Sequence, residues 1–129
     1  MSRPAFDQFV VFVSVSDLTI AHEFYTDVLG LEMVLDQGQC RIYRVAAEAY
    51  LGLCDNPETA GATGGAIITL VTDRVDEVYD GLLASGVVVD HAPAYNPRFD
   101  IYHAFVRDPD GNRIEIQQFR DLRWPRPGE

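Results

Sequence analysis

The chain of 129 residues has few basic side chains, little cysteine and no long apolar run, and each scarcity excludes a class of protein. Ten Lys and Arg face twenty Asp and Glu, a net charge of −10. Such a surface repels nucleic acid and anionic membrane, so neither is expected as a partner. The imbalance serves solubility first and modestly favours cationic ligands. No apolar run approaches the roughly 20 residues that a membrane-spanning helix needs. The opening Met1-Ser2-Arg3-Pro4 offers no signal-peptide core, and a cytoplasmic location is expected. Cys40 and Cys54 match no metal or redox spacing. A short turn near Ala47 sets them almost opposite each other on neighbouring strands, yet in a reducing cytosol two buried thiols are the expected state.

What is present is ordinary globular material, 47% hydrophobic and 23% charged, arranged as an internal repeat. Val10 to Val15 reads as a strand ending at Ser16-Asp17, and Ala66 to Val71 as a strand ending at Thr72-Asp73. Helix stripes follow, Ile20, Ala21, Phe24 and Val28 in one copy and Val75, Val78, Tyr79 and Leu82 in the other. Gly30 and Gly86 stop them, and Asp17 or Thr19, then Thr72 or Asp73, are the expected caps. A single offset of 56 relates Val10 to Ala66, Asp17 to Asp73 and Gly30 to Gly86. Three strands follow each helix: Glu32 to Asp36, Cys40 to Val45 and Tyr50 to Cys54, then Val87 to His91, Ile101 to Arg107 and Arg113 to Phe119. The Gly-rich stretch 55–65 is a loop within one domain spanning 1–129, with repeats at about 6–55 and 66–119 and a tail at 120–129.

Two segments carry a family resemblance. Ile101 to Phe119 reads as two strands around the turn Asp108-Pro109-Asp110-Gly111-Asn112, and Ser16-Asp17-Leu18 leads through Phe24-Tyr25 to Val28-Leu29-Gly30-Leu31. Together they resemble the vicinal-oxygen-chelate superfamily of glyoxalase I, extradiol dioxygenases, fosfomycin-resistance transferases and bleomycin-binding proteins. The resemblance implies an α+β fold in which two βαβββ repeats form a curved half-barrel sheet, with helices on the convex side and a ligand cup inside. It also implies a homodimer. Metal-dependent members place His or Glu ligands on the first and last strands of each half. Those positions match Val10, Gly52, Ala66 and Glu115, so Glu115 is the only ligand position retained, and no metal or other cofactor is expected. A displaced divalent-metal site would draw on His103 and Glu115 with Cys54 or Gln117.

Strand alternation sorts the candidate residues. Phe9, Val11, Val13 and Val15 suit the helices, leaving Gln8, Val10, Phe12 and Ser14 for the cup. Leu51 and Leu53 face the helices and Tyr50, Gly52 and Cys54 the cup. If the turn at Asp110 pairs Phe105 with Glu115, His103 pairs with Gln117, and all four share the cup face. Glu115 and His103 are the candidate acid, base or polar anchor. Phe12, Tyr50, Phe105, Gln117 and Phe119 are candidate ligand contacts, and Arg98, in the loop 92–100 at the cup mouth, a candidate for an anionic group. His22 and His91 read as solvated, and the only Trp, Trp124, as packed on its own chain or across a dimer interface. The expected function is binding of a small organic molecule without a metal. The alternative is a glyoxalase- or dioxygenase-like enzyme using a rearranged ion site or metal-free acid/base chemistry by Glu115 and His103.

Overall fold

The computed structural model describes residues 5–127. The reading of Met1-Ser2-Arg3-Pro4, and the end of the tail at Gly128 and Glu129, lie outside the described residues. The chain divides into two compact units, Met1–Gly65 and Ala66–Glu129. Each has the order strand, helix and three strands, an α+β pattern on a four-stranded mixed sheet.

In the first unit β1 (Phe9–Val15) leads into α1 (Leu18–Glu23), followed by β2 (Glu32–Asp36), β3 (Cys40–Ala46) and β4 (Ala49–Asp55). The sheet order is β1-β4-β3-β2, with β1 parallel to β4 and the other pairs antiparallel. Asp17 is the cap of α1, its Oδ1 accepting from the Thr19 and Ile20 amides. The helix does not run regularly to Val28 as its stripe suggests. It widens into a π-helical turn over Phe24–Val28, where the Leu29 amide reaches back to the Phe24 carbonyl. The wider turn allows the consecutive Phe24 and Tyr25 both to be buried. Against them pack Tyr43, Leu51, Leu53 and Val15, the core of this unit. Burying a side chain of this size contributes about 1.5–3 kcal/mol. Phe9 and Val11, expected under the helices, stay 64% and 39% exposed. The six-residue α1 is too short to cover the whole strand. His22, expected to be solvated, is half-buried, its Nδ1 2.8 Å from the Tyr43 hydroxyl.

The cysteine expectation is corrected as well. Cys40 and Cys54 pair directly between β3 and β4 and are joined in a disulfide. The Asp55 amide bonds the Gln39 carbonyl, which makes Cys40 and Cys54 a non-hydrogen-bonded pair. In such pairs the side chains approach most closely, and here the Cα atoms are 4.1 Å apart.

The second unit contains β5 (Ile68–Val71), α2 (Val75–Ala84), β6 (Val88–Asn96), β7 (Ile101–Arg107) and β8 (Arg113–Phe119), in sheet order β5-β8-β7-β6. Its core is Val75, Leu82, Ile101, Ala104, Val106, Ile114 and Ile116. Neither Thr72 nor Asp73 occupies the cap position of α2; Arg74 does, and Thr72 Oγ1 accepts from the Arg74 amide just before it. β6 continues through Ala92–Asn96, which the sequence assigns to a loop, and His91 lies within it rather than at its end. Pro93 is tolerated because β6 is an edge strand and the register shifts between His91 and Ala94. Gly30 and Gly86 both take a φ of 77°, the left-handed stop that their matched positions require.

The offset between the repeats is not constant. Leu51 and Leu53 correspond to Ile114 and Ile116, the core-facing pairs of β4 and β8. Gly52 is therefore the counterpart of Glu115. Across the parallel ladders Gly52 pairs with Phe12, and Glu115 with Thr69. Phe12 thus corresponds to Thr69 and Val10 to Ile67, not Ala66. A shift of one residue in the correspondence exchanges the two faces of the strand.

Candidate functional site

The site is built on β5, β7 and β8 of the second unit. The β7–β8 turn fixes its register: Asp108 Oδ1 accepts from the amides of Asp110 and Asn112, and Asn112 Nδ2 donates to Asp108 Oδ2, at 2.8–2.9 Å. The resulting ladder pairs Phe105 with Glu115 and His103 with Gln117, as alternation and the turn require.

Glu115 is 7% exposed, and a carboxylate so buried is costly unless its oxygens are engaged. Both are. Thr69 Oγ1 donates to Oε1 at 2.8 Å, and His103 Nδ1 lies 2.6 Å from Oε2. A carboxylate accepts only, so an ionised Glu115 receives the Nδ1–H of His103, which leaves Nε2 as the ring's remaining polar atom. The His103 ring meets Phe105 edge-on at 5.1 Å, and His91, exposed on β6, lies 6.0 Å from it. On the other side of Glu115 the Arg113 guanidinium lies 4.5 Å from the Phe105 ring centre, its Nε buried without a hydrogen-bond partner.

This group opens on a cavity of about 710 Å³, within the range of small-molecule sites. His103, Phe105, Glu115, Gln117 and Phe119 line it, together with Ile67, Asn96, Phe99, Ile101 and the tail residues Asp121, Arg123 and Trp124. Trp124 stacks on Phe119 with ring centres 3.7 Å apart and planes 15° apart, which makes it packed on its own chain. At the rim the hydrogen bond from Arg123 holds the Asp121 carboxyl down at about 2.

The other candidates lie elsewhere. Arg98 is exposed, with its guanidinium over Phe99, and is not a cavity-lining residue. Phe12 and Tyr50 belong to the first unit, where Arg44 donates to the Tyr50 hydroxyl at 3.1 Å. There the ring of Phe12 covers Gly52 so closely that a Cβ at position 52 would meet Phe12 Cδ1 at 2.2 Å. Sequence reasoning missed Thr69, and with it the lining residues Ile67, Asn96, Phe99 and Ile101. Carrying an offset of 56 through β5 would turn Thr69 to the opposite face.

The chain belongs to the glyoxalase family: the model of the Glyoxalase/Bleomycin resistance protein/Dioxygenase superfamily matches residues 5–116. A probable lactoylglutathione lyase of Vibrio cholerae serotype O1 is 30% identical over 124 residues, covering 81% of this chain and 84% of the relative. Among solved structures, lactoylglutathione lyase from Agrobacterium tumefaciens is 29% identical with a TM-score of 0.73, covering 91% of this chain and 96% of its own. The antibiotic-binding protein TnmS3 from Streptomyces sp. CB03234 is 30% identical with a TM-score of 0.72, covering 90% and 98%.

Membership raises the question of a divalent ion. The first- and last-strand positions hold Val10, Gly52, Ile67 and Glu115, of which only Glu115 has a donor, and both its oxygens are already engaged. Gly52 cannot be the place of a second carboxylate while Phe12 fills the space above it. In the displaced alternative Cys54 offers no thiolate, being bonded to Cys40. Among the described residues no group of three His, Cys, Asp or Glu side chains converges for an ion. The donor set does not fit a divalent metal, which needs three or four such ligands.

Proposed function

We propose that the protein binds a small organic molecule in the second-unit cavity, without a catalytic metal, using Glu115 and His103 as its polar handle. The observation that carries this reading is the engagement of Glu115 by Thr69 and His103, a pair of contacts that prepares His103 for a ligand rather than Glu115 for an ion. Phe105, Gln117 and Phe119 supply the surrounding wall. The likeness to an antibiotic-binding protein supports the same class of function. A second reading, metal-free acid/base chemistry, draws on the 2.6 Å contact that orients His103, since a base must first be held in place. Both repeats are read as one domain in a cytoplasmic homodimer. The family match runs through both repeats, and Leu122 and Trp124, 90% and 49% exposed, offer apolar surface for a partner subunit. No helix among the described residues is long and apolar enough to cross a membrane.

Native mass spectrometry of tag-free protein identifies a co-purified compound, and calorimetry then measures its affinity. Glu115→Gln and His103→Ala are each expected to weaken it by more than about 1 kcal/mol, and to combine non-additively because they belong to one network. Elemental analysis is the counter-test. About one divalent ion per chain, lost in Glu115→Gln, would overturn the metal-free reading.

A further inference from the structure

Gln117 is the buried polar side chain of the cavity that the Thr69, Glu115 and His103 chain leaves out. It is 6% exposed, pairs in register with His103 and lines the cavity. Its backbone carbonyl is used, accepting from the Thr72 amide at 2.9 Å. Its carboxamide has no hydrogen-bond partner among the described residues. A polar group this deeply buried is normally paired, and one left open toward a cavity is placed to pair with what enters. The contrast with its neighbour is chemical. The oxygens of Glu115 are engaged, whereas the Gln117 amide presents a carbonyl acceptor beside an NH2 donor in one plane.

That arrangement selects its complement. Two parallel hydrogen bonds form with a ring edge that places an N–H next to a C=O, much as a carboxamide reads the edge of a nucleobase. The group is neutral, so it favours a neutral edge over a carboxylate or an ammonium. The walls agree with a ring: Phe105 lies one ladder step away, and Phe119 is stacked by Trp124. We propose that Gln117 determines specificity and that the ligand is a planar, neutral heterocycle with a lactam edge. This deepens the small-molecule-binding function proposed above and rests on it.

The test uses three probes of similar size: carbostyril, which carries the lactam edge, N-methylcarbostyril, which lacks the N–H, and naphthalene, which lacks both polar groups. Affinity is measured by calorimetry on the full chain. The indole N–H resonance of Trp124, the only Trp, reports occupancy of the cavity. Wild-type protein is expected to prefer carbostyril over its N-methyl form by about tenfold or more, the scale of a neutral hydrogen bond in a desolvated site. In Gln117→Leu the preference collapses to less than about twofold, because neither compound then has an amide to pair with. Gln117→Met, which keeps the length of the side chain and loses both the acceptor and the donor, serves if the Leu variant does not fold. Equal binding of all three probes leaves the cavity as an apolar ligand site and overturns the lactam proposal alone. A preference that survives in both variants also overturns it. No binding of any probe, with the indole resonance unmoved, removes the site reading and the proposal together.

Discussion

The two repeats share one topology and treat the same position in opposite ways. On β4 the position is Gly52, sealed by the ring of its ladder partner Phe12. On β8 it is Glu115, held by its ladder partner Thr69 and by His103 beside an open cavity. The first unit has spent its sheet face on an aromatic cover and a disulfide; the second keeps a polar chain on its face. The lesson is that a repeated backbone fixes where a side chain can point and leaves its chemistry free.

The comparison can be broken, and the disulfide gives the largest effect. Its cysteines are 14 residues apart in sequence. Closing a loop of about 15 residues is worth about 3 kcal/mol in the chain-entropy account. Cys40→Ser with Cys54→Ser, or reduction, should cost roughly that in urea unfolding. Hydrogen exchange should place the loss in β3 and β4; an equal loss in β7 and β8 would end the distinction between the repeats.

The polar chain of the second unit comes next. Glu115→Gln retains the shape but weakens a charge-assisted contact, and should cost about 2 kcal/mol of stability. Thr69→Val should cost less, about 1 kcal/mol, since His103 still holds the carboxylate. Stability unchanged in both would mean that the chain is not a structural unit.

Gly52→Ala sharpens the contrast from the other side. The added Cβ must displace the Phe12 ring, but Phe12 is 50% exposed and has room to move. A cost of about 1 kcal/mol is expected, falling toward zero when Phe12→Ala is already present. Additive costs in the double variant would show that the ring is not the cover.

The smallest effect is a pH dependence that burial gives to the core of the first unit. Burial raises the Tyr43 phenol above its ordinary 10.0, against the lowering influence of Arg41. The folded state thus binds this proton more tightly than the unfolded state. The stability it contributes is fully present below pH 10.0 and is lost as pH rises through the folded value. Ultraviolet titration should show Tyr43 ionising above 10.0 in the native protein, as Tyr95 and Tyr102 do through their hydrogen bonds to Asp100 and Asp76, and Tyr43→Phe should remove one of these late steps.

Much of this was legible in advance because it is local. Ile101–Arg107 and Arg113–Phe119 begin and end where composition places them, and the turn between them sets Glu115 and His103 on one face through the alternation of strands. What misled was the assumption of one offset through both repeats. It held at Gly30 and Gly86 and failed by one residue in β5, where one residue decides the face. Pro93 suggested the end of a strand, yet an edge strand with a register shift has no bond to lose there.

The sequence by itself determined the family, the order of elements in each repeat and the common face of Glu115 and His103, since these follow from short-range periodicity and turn chemistry. Tertiary structure decided the remaining contacts: Thr69 on Glu115, Phe12 over Gly52, Cys40 bonded to Cys54, and Trp124 on Phe119. The first two arise from parallel ladders between strands about forty residues apart in sequence, whose register no local pattern encodes. The last two depend on where strands and tail come to lie once packed. Propensity gives each segment its shape, but only the closed ladders and the packed core select which side chains meet.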